Sequence, residues 1–166
     1  MQGARTIRLT AEMKRVVEEQ RLAFVATVCP DGTPNLSPKG TIAVWDDTHL
    51  IFADICSPGT IANLKERSAL EINVVDPVAR KGYRFKGRAT VYAEGPLFER
   101  MLAFYRQRGT RSPIQHIVLI TVEQASPLLS PAYDQGQSEQ QIASRWLSRW
   151  KRLYTERYGP VLPLED

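Results

Sequence analysis

Two β-rich runs fold back on one another about a tight turn near the amino terminus, and that pairing narrows the fold class more than anything else in the chain. Leu22-Ala-Phe-Val-Ala-Thr-Val28 is β-branched and aromatic, and Pro30-Asp31-Gly32-Thr33 supplies the turn, with Asp-Gly the strong hairpin signal. Asn35–Val44 is the return strand, interrupted by Pro38 and Gly40, and Asp46-Asp47-Thr48 turns again into His49–Asp54. Turns this short make antiparallel neighbours, so these three strands are expected side by side. Tyr83–Tyr92 alternates: Tyr83, Phe85, Gly87, Ala89 and Val91 face one way, and Arg84, Lys86, Arg88, Thr90 and Tyr92 the other. With Leu70–Val75 and His116–Glu123 the expected count is six strands.

Helical patterns only interrupt this series. Thr10 caps a helix running to Gln20; Ser57 or Thr60 caps a short one over Ile61–Arg67, with Pro58 suited to its first turn; Gly95-Pro96 opens a third, which Gly109 ends. Regular alternation of strands with long helices is absent, so a βαβ architecture is disfavoured and a mainly β, six-stranded antiparallel barrel with flanking helices is expected. The 166 residues suit a single domain, 1–166. Its last segment, 137–158, reads as an amphipathic helix whose stripe (Ile142, Trp146, Trp150, Leu153, Tyr154) is expected to pack its tryptophans into the core.

Several function classes are excluded early. Two separated cysteines, Cys29 and Cys56, and two histidines, His49 and His116, leave no metal site to assemble. Residues 1–15 lack the apolar core of a signal peptide, and no apolar run approaches the ~20 residues of a membrane helix, so a cytoplasmic protein with no membrane partner is expected. The final helix carries Arg145, Arg149, Lys151, Arg152 and Arg157 against Glu139 and Glu156, three of the chain's four net positive charges. A solvated helix back accounts for them, and no nucleic-acid partner is expected. There is no Ser-His-Asp or Cys-His pattern, no Gly-x-Gly-x-x-Gly and no Walker sequence, so chemistry would have to come from a bound cofactor.

Two short stretches suit such a cofactor. In Ser37-Pro38-Lys39-Gly40-Thr41 the proline marks an edge or bulge, the glycine admits a group close to the backbone, and Ser37 and Lys39 share a face. In Ser57-Pro58-Gly59-Thr60 a helix begins, and its free N–H groups favour an anion. Taken alone, the first stretch is better explained as a structural bulge and the second as a plain helix cap. Arg84, Lys86 and Arg88 read as a solvated strand face that offers alternative counter-charges.

Taken together, the segments resemble a known family. Phe24–Val28, Asp31–Gly40, Ile51–Asp54, then Ser57, Thr60, Asn63 and Leu64, then Tyr83, Phe85, Gly87 and Ala89 follow the order of the pyridoxamine 5'-phosphate oxidase-like FMN-binding split-barrel superfamily, from about Met13 to Tyr133. Ser130-Pro131-Ala132-Tyr133-Asp134 is similar to the close of a small bacterial and archaeal branch. The resemblance implies a Greek-key split barrel and a homodimer with FMN at its interface. Ser37, Pro38, Lys39 and Gly40 would lie along the flavin, with Phe52 and Ala53 facing it. Ser57, Gly59 and Thr60 would hold the phosphate.

The departures shift the expected chemistry. Pro58-Gly59 stands where true oxidases carry an Arg-Lys pair, no glutamine lies near Gly82, and the oxidases' Arg-x-His substrate motif is absent. Vitamin B6 oxidation is therefore not implied. What remains is a flavin-dependent oxidoreductase or reductase passing hydride between flavin N5 and a small substrate or NAD(P)H. A flavin carrier or sensor, and a haem- or deazaflavin-binding relative, stand beside it.

Overall fold

The computed structural model describes residues 6–160, which form two compact units: 6–75 with 82–127, and 76–81 with 128–160. The first contains helices α1 (Ala11–Gln20), α2 (Pro58–Glu66) and α3 (Pro96–Gln107) and most of one sheet. Its strands are β1 (Ala23–Val28), β2 (Pro34–Lys39), β3 (Ala43–Val44), β4 (His49–Asp54), β5 (Ala69–Asp76), β6 (Lys81–Tyr92) and β7 (His116–Leu129).

The sheet has seven strands in the order β2-β1-β5-β6-β7-β4-β3, not six. The expected return strand Asn35–Val44 breaks in two. Its first half pairs with β1, Phe24 opposite Pro38 and Val28 opposite Pro34. Its second half pairs with β4, Ala43 opposite Ile51. The return strand is thus not one continuous neighbour of β4, which instead pairs with β7 on its other side.

The break dictates the curvature. β2 and β3 lie at opposite ends of the sheet, yet only Gly40, Thr41 and Ile42 separate them in sequence. Four residue steps reach at most about 14 Å. Seven flat strands would set the two ends roughly 29 Å apart. The sheet must curl until its edges approach, which makes it an antiparallel half-barrel. Side chains replace the ladder at the break. Thr41 Oγ1 donates to the Ala53 carbonyl at 2.9 Å and accepts from the Ala53 amide at 3.0 Å. Tyr105 Oη, from α3, donates to the Thr41 carbonyl at 2.8 Å. Burial pushes the Tyr105 phenol well above its ordinary pKa, so it stays protonated as a donor.

Curling also needs bare backbone on β6. A Cβ on Gly87 would sit 2.1 Å from the Thr121 carbonyl oxygen, and one on Gly82 would sit 2.0 Å from that of Val74. Both positions exclude side chains because neighbouring strands press against them.

Two apolar clusters hold the unit. Val17 of α1 and Leu64 of α2 belong to one with Val25, Phe52, Ile72, Phe85 and Ile120. Met101 and Tyr105 of α3 join Ile51, Ala53 and Ile117 in the other. β4 therefore feeds both clusters, which is why five of its six residues are buried and its sequence reads as a continuous apolar run. Thr10 caps α1 as expected, accepting from the Met13 amide at 3.2 Å.

The second unit contains the 76–81 turn, α4 (Pro131–Asp134) and α5 (Glu139–Tyr158). Tyr133 Oη donates to the Ala79 carbonyl at 2.7 Å, and Lys81 pairs with Glu139 at 2.7 Å. A Ser138–Gln141 capping box starts α5.

The stripe of α5 departs from expectation: Ile142 is its one buried residue, while Leu153 and Tyr154 are exposed and Trp146 and Trp150 half-buried. The four-residue spacing stacks the rings on each other instead, with centroids 6.4 Å apart for Trp146–Trp150, 5.6 Å for Trp150–Tyr154 and 5.8 Å for Tyr154–Tyr158. The Arg80 guanidinium covers the outer end of this ladder, 4.3 Å from the Trp146 ring. The buried Trp150 Nε1 has no acceptor among the described residues.

Candidate anion and cofactor site

The structure brings the two candidate stretches together through one residue. In β2, Asn35, Ser37 and Lys39 point inward while Pro34, Leu36 and Pro38 point out. Lys39 is the last residue of the strand, 4% exposed, and its ammonium lies 5.7 Å from the centre of the Phe52 ring. Its hydrogen-bond partners are all neutral: the Ser37 hydroxyl, the Ser57 hydroxyl at 3.0 Å and the Pro38 carbonyl at 3.4 Å. Ser37 and Lys39 thus meet Ser57, 18 residues further on, at the start of α2.

A buried cation surrounded by neutral oxygens is expensive unless an anion joins it. Desolvation pushes the Lys39 ammonium below its ordinary pKa, and the nearby Asp54 charge opposes that shift only in part. Space beside it is open: a Cβ on Gly40 or Gly59 would meet nothing within 4 Å. Thr60 is buried in the first turn of α2, while Pro58 and Gly59 are exposed. Ser57 occupies the cap position but makes no side-chain capping bond, because its hydroxyl is turned to Lys39. The first amides of α2 therefore remain available to an oxyanion. A phosphate group fits this donor set of an ammonium, hydroxyls and helix-end N–H groups.

The other expected contributors take different positions. Phe52 is fully buried beneath the ammonium. Ala53 lies in the second cluster, with its amide and carbonyl bonded to Thr41. The alternative cations are already paired: Arg84 and Lys86 reach Glu71 at 2.9 and 3.1 Å, and Arg88 reaches Glu123 at 3.1 Å. Among the described residues that were candidates, this leaves Lys39 as the cation facing the cradle.

Sequence reasoning missed Asp54 and His116. Asp54 is 2% exposed; its Oδ1 accepts from the Ser57 amide at 2.8 Å and its Oδ2 meets His116 Nδ1 at 3.0 Å. Asp54 ends an apolar strand, a position that marks a buried carboxylate, but no local pattern joins it to a histidine 62 residues away. Among the described residues there is no group of three metal-ligating side chains, and no helix is long and apolar enough to cross a membrane.

Comparison with known proteins identifies relatives of the chain and of its fold. An uncharacterized protein of Methanocaldococcus jannaschii is 30% identical over 95 residues, which is 56% of this chain and 62% of that protein, so the match spans less than two thirds of the relative. The crystal structure of HupZ from Group A Streptococcus superposes with a TM-score of 0.66 and 34% identity, covering 74% of this chain and 95% of HupZ. An FMN-binding protein from Syntrophomonas wolfei shares the fold at a TM-score of 0.59 and 18% identity, over 70% of this chain and 83% of the other. Residues 9–128 match the model of the family described as pyridoxamine 5'-phosphate oxidase, which places both halves of the cradle inside the matched region, and the chain belongs to that family.

Proposed function

We propose that this protein binds FMN, its phosphate held by Lys39, Ser57, Thr60 and the first amides of α2, and acts as a flavin-dependent oxidoreductase on a small substrate. The reading rests on one observation, the buried Lys39 ammonium whose hydrogen-bond partners are all neutral. A phosphate dianion supplies the missing charge, and riboflavin does not. When bound, FMN supplies hydride chemistry at its N5. The chain's own part is to anchor the phosphate, to let the ligand pass close to Gly40 and Gly59, and to keep water from the ammonium through Phe52. Family membership and the FMN-binding neighbour of the same fold support the choice of flavin.

A second copy of the chain completes the site in this reading. The outer face of β1 and β2 exposes Phe24, Val28 and Leu36, with Val75 of β5 on the same side, and Val28 also lines an open cleft of about 410 Å³. An isologous dimer would cover that apolar surface.

The test starts with the purified protein's absorbance and the identity of any chromophore released on denaturation. Apo-protein is then titrated with FMN, riboflavin and FAD. FMN is expected at about one per subunit and tighter than either competitor. Bleaching by NADH or NADPH separates an enzyme from a carrier. No FMN binding at high micromolar concentration would overturn the proposal.

A further inference from the structure

His116 sits where it can hold the mouth of the cradle without touching a ligand. It pairs with Asp54 in the β4–β7 register, and the Gln115 amide donates to the Asp54 carbonyl at 3.0 Å, so their backbones are locked side by side. Their side chains meet as well, His116 Nδ1 to Asp54 Oδ2 at 3.0 Å. On the other side of the ring, Nε2 faces the Lys65 ammonium of α2 at 3.3 Å. A carboxylate only accepts and an ammonium only donates. The imidazole form that satisfies both is neutral, with its proton on Nδ1.

This leaves Asp54 with one oxygen for His116 and the other for the Ser57 amide. The Ser57 hydroxyl in turn meets Lys39. A continuous path therefore runs from Lys65 through His116, Asp54 and Ser57 to Lys39. We infer that His116 is the positioning residue of the anion site: by occupying Asp54 Oδ2 it keeps the carboxylate on the Ser57 amide, so that α2 begins in register with Lys39. Without that occupant, a buried carboxylate oxygen is left unpaired. The nearest buried cation is then Lys39, and a carboxylate turned toward it would neutralise the ammonium meant for phosphate. The effect on a ligand rests on the phosphate reading above; the effect on Ser57 does not.

The experiment uses three variants of the full chain. His116→Phe keeps the ring and removes the donor. His116→Asn places an amide N–H two bonds from Cβ, where Nδ1 stood. His116→Gln carries its amide one bond too far. Amide hydrogen exchange at Ser57 in ligand-free protein is the primary readout. His116→Phe and His116→Gln are expected to speed it about tenfold or more, and His116→Asn to leave it near wild type. In FMN titrations the same two variants should raise Kd about tenfold, with riboflavin changed less than about twofold. If His116→Phe fails to fold, the contrast between Asn and Gln carries the test. Unchanged Ser57 exchange in both the Phe and Gln variants would overturn the inference, as would an Asn variant no better than Gln. If the exchange pattern holds but wild-type protein binds no FMN, the anchor stands and the flavin reading falls.

Discussion

Replacing Lys39 with Met keeps a straight side chain over Phe52 and removes the ammonium. Lys39 is 4% exposed, so solvent screens its interaction with a bound anion very little. A hydrogen bond to a charged group contributes about 1.5–3 kcal/mol, which is roughly 10- to 150-fold in Kd. FMN affinity should fall by that factor, and riboflavin affinity by less than about threefold, because riboflavin has no phosphate to lose.

Stability should move the opposite way. Burial holds the Lys39 pKa below its ordinary value of 10.5, against a smaller opposing pull from Asp54. Between the lowered folded-state value and 10.5 the unfolded chain binds more protons than the folded one, so wild-type stability rises with pH through that window. Below the window the charged lysine destabilises the empty protein. Lys39→Met should therefore unfold at the same or a higher urea concentration at pH 7 and lose the alkaline rise. Flavin fluorescence quenching gives the affinities, and urea titrations at several pH values give the stability. Equal loss of FMN and riboflavin binding, or a less stable empty protein at pH 7, would refute the argument.

Two further outcomes concern the frame. Gly87→Ala must move the backbone at Thr121, and a cost of about 1–3 kcal/mol is expected from urea unfolding; an unchanged midpoint would mean β6 and β7 yield freely there. Trp150→Ala should cost less than the ~3–5 kcal/mol typical of a fully buried aromatic, since Trp150 is only half-buried and its indole N–H lacks an acceptor; a loss in that higher range would show the stripe to be packed.

Much of this was legible in the chain because the signals were local. The Asp31-Gly32 turn, the Thr10 cap and the alternation of β6 each depend on residues a few positions apart, and each appears where expected. The split of 34–44 was not legible in the same way. Pro38 and Gly40 marked an interruption, but which strand each half would join depends on Thr41 meeting Ala53 and on Tyr105 of α3 reaching over them. For the site, Ser37, Lys39 and Ser57 were recognisable as donors, and Lys39 was one of four basic residues offered. Only tertiary pairing of Arg84, Lys86 and Arg88 with Glu71 and Glu123 separates it from the others. The aromatic spacing of α5 was plain, yet periodicity specifies a face and says nothing of what covers it.

The three-residue link at Gly40–Ile42 gives a ligand mechanical leverage over the sheet. Lys39 ends one edge strand, while Ser57 lies just beyond β4, the strand that carries the opposite edge. An anion gripped by both would act as a clasp across the seam of the half-barrel. Its binding energy would add to the work needed to part the two edges, so the protein's lifetime against heat or protease should lengthen with ligand concentration even if the shape of the folded sheet does not change.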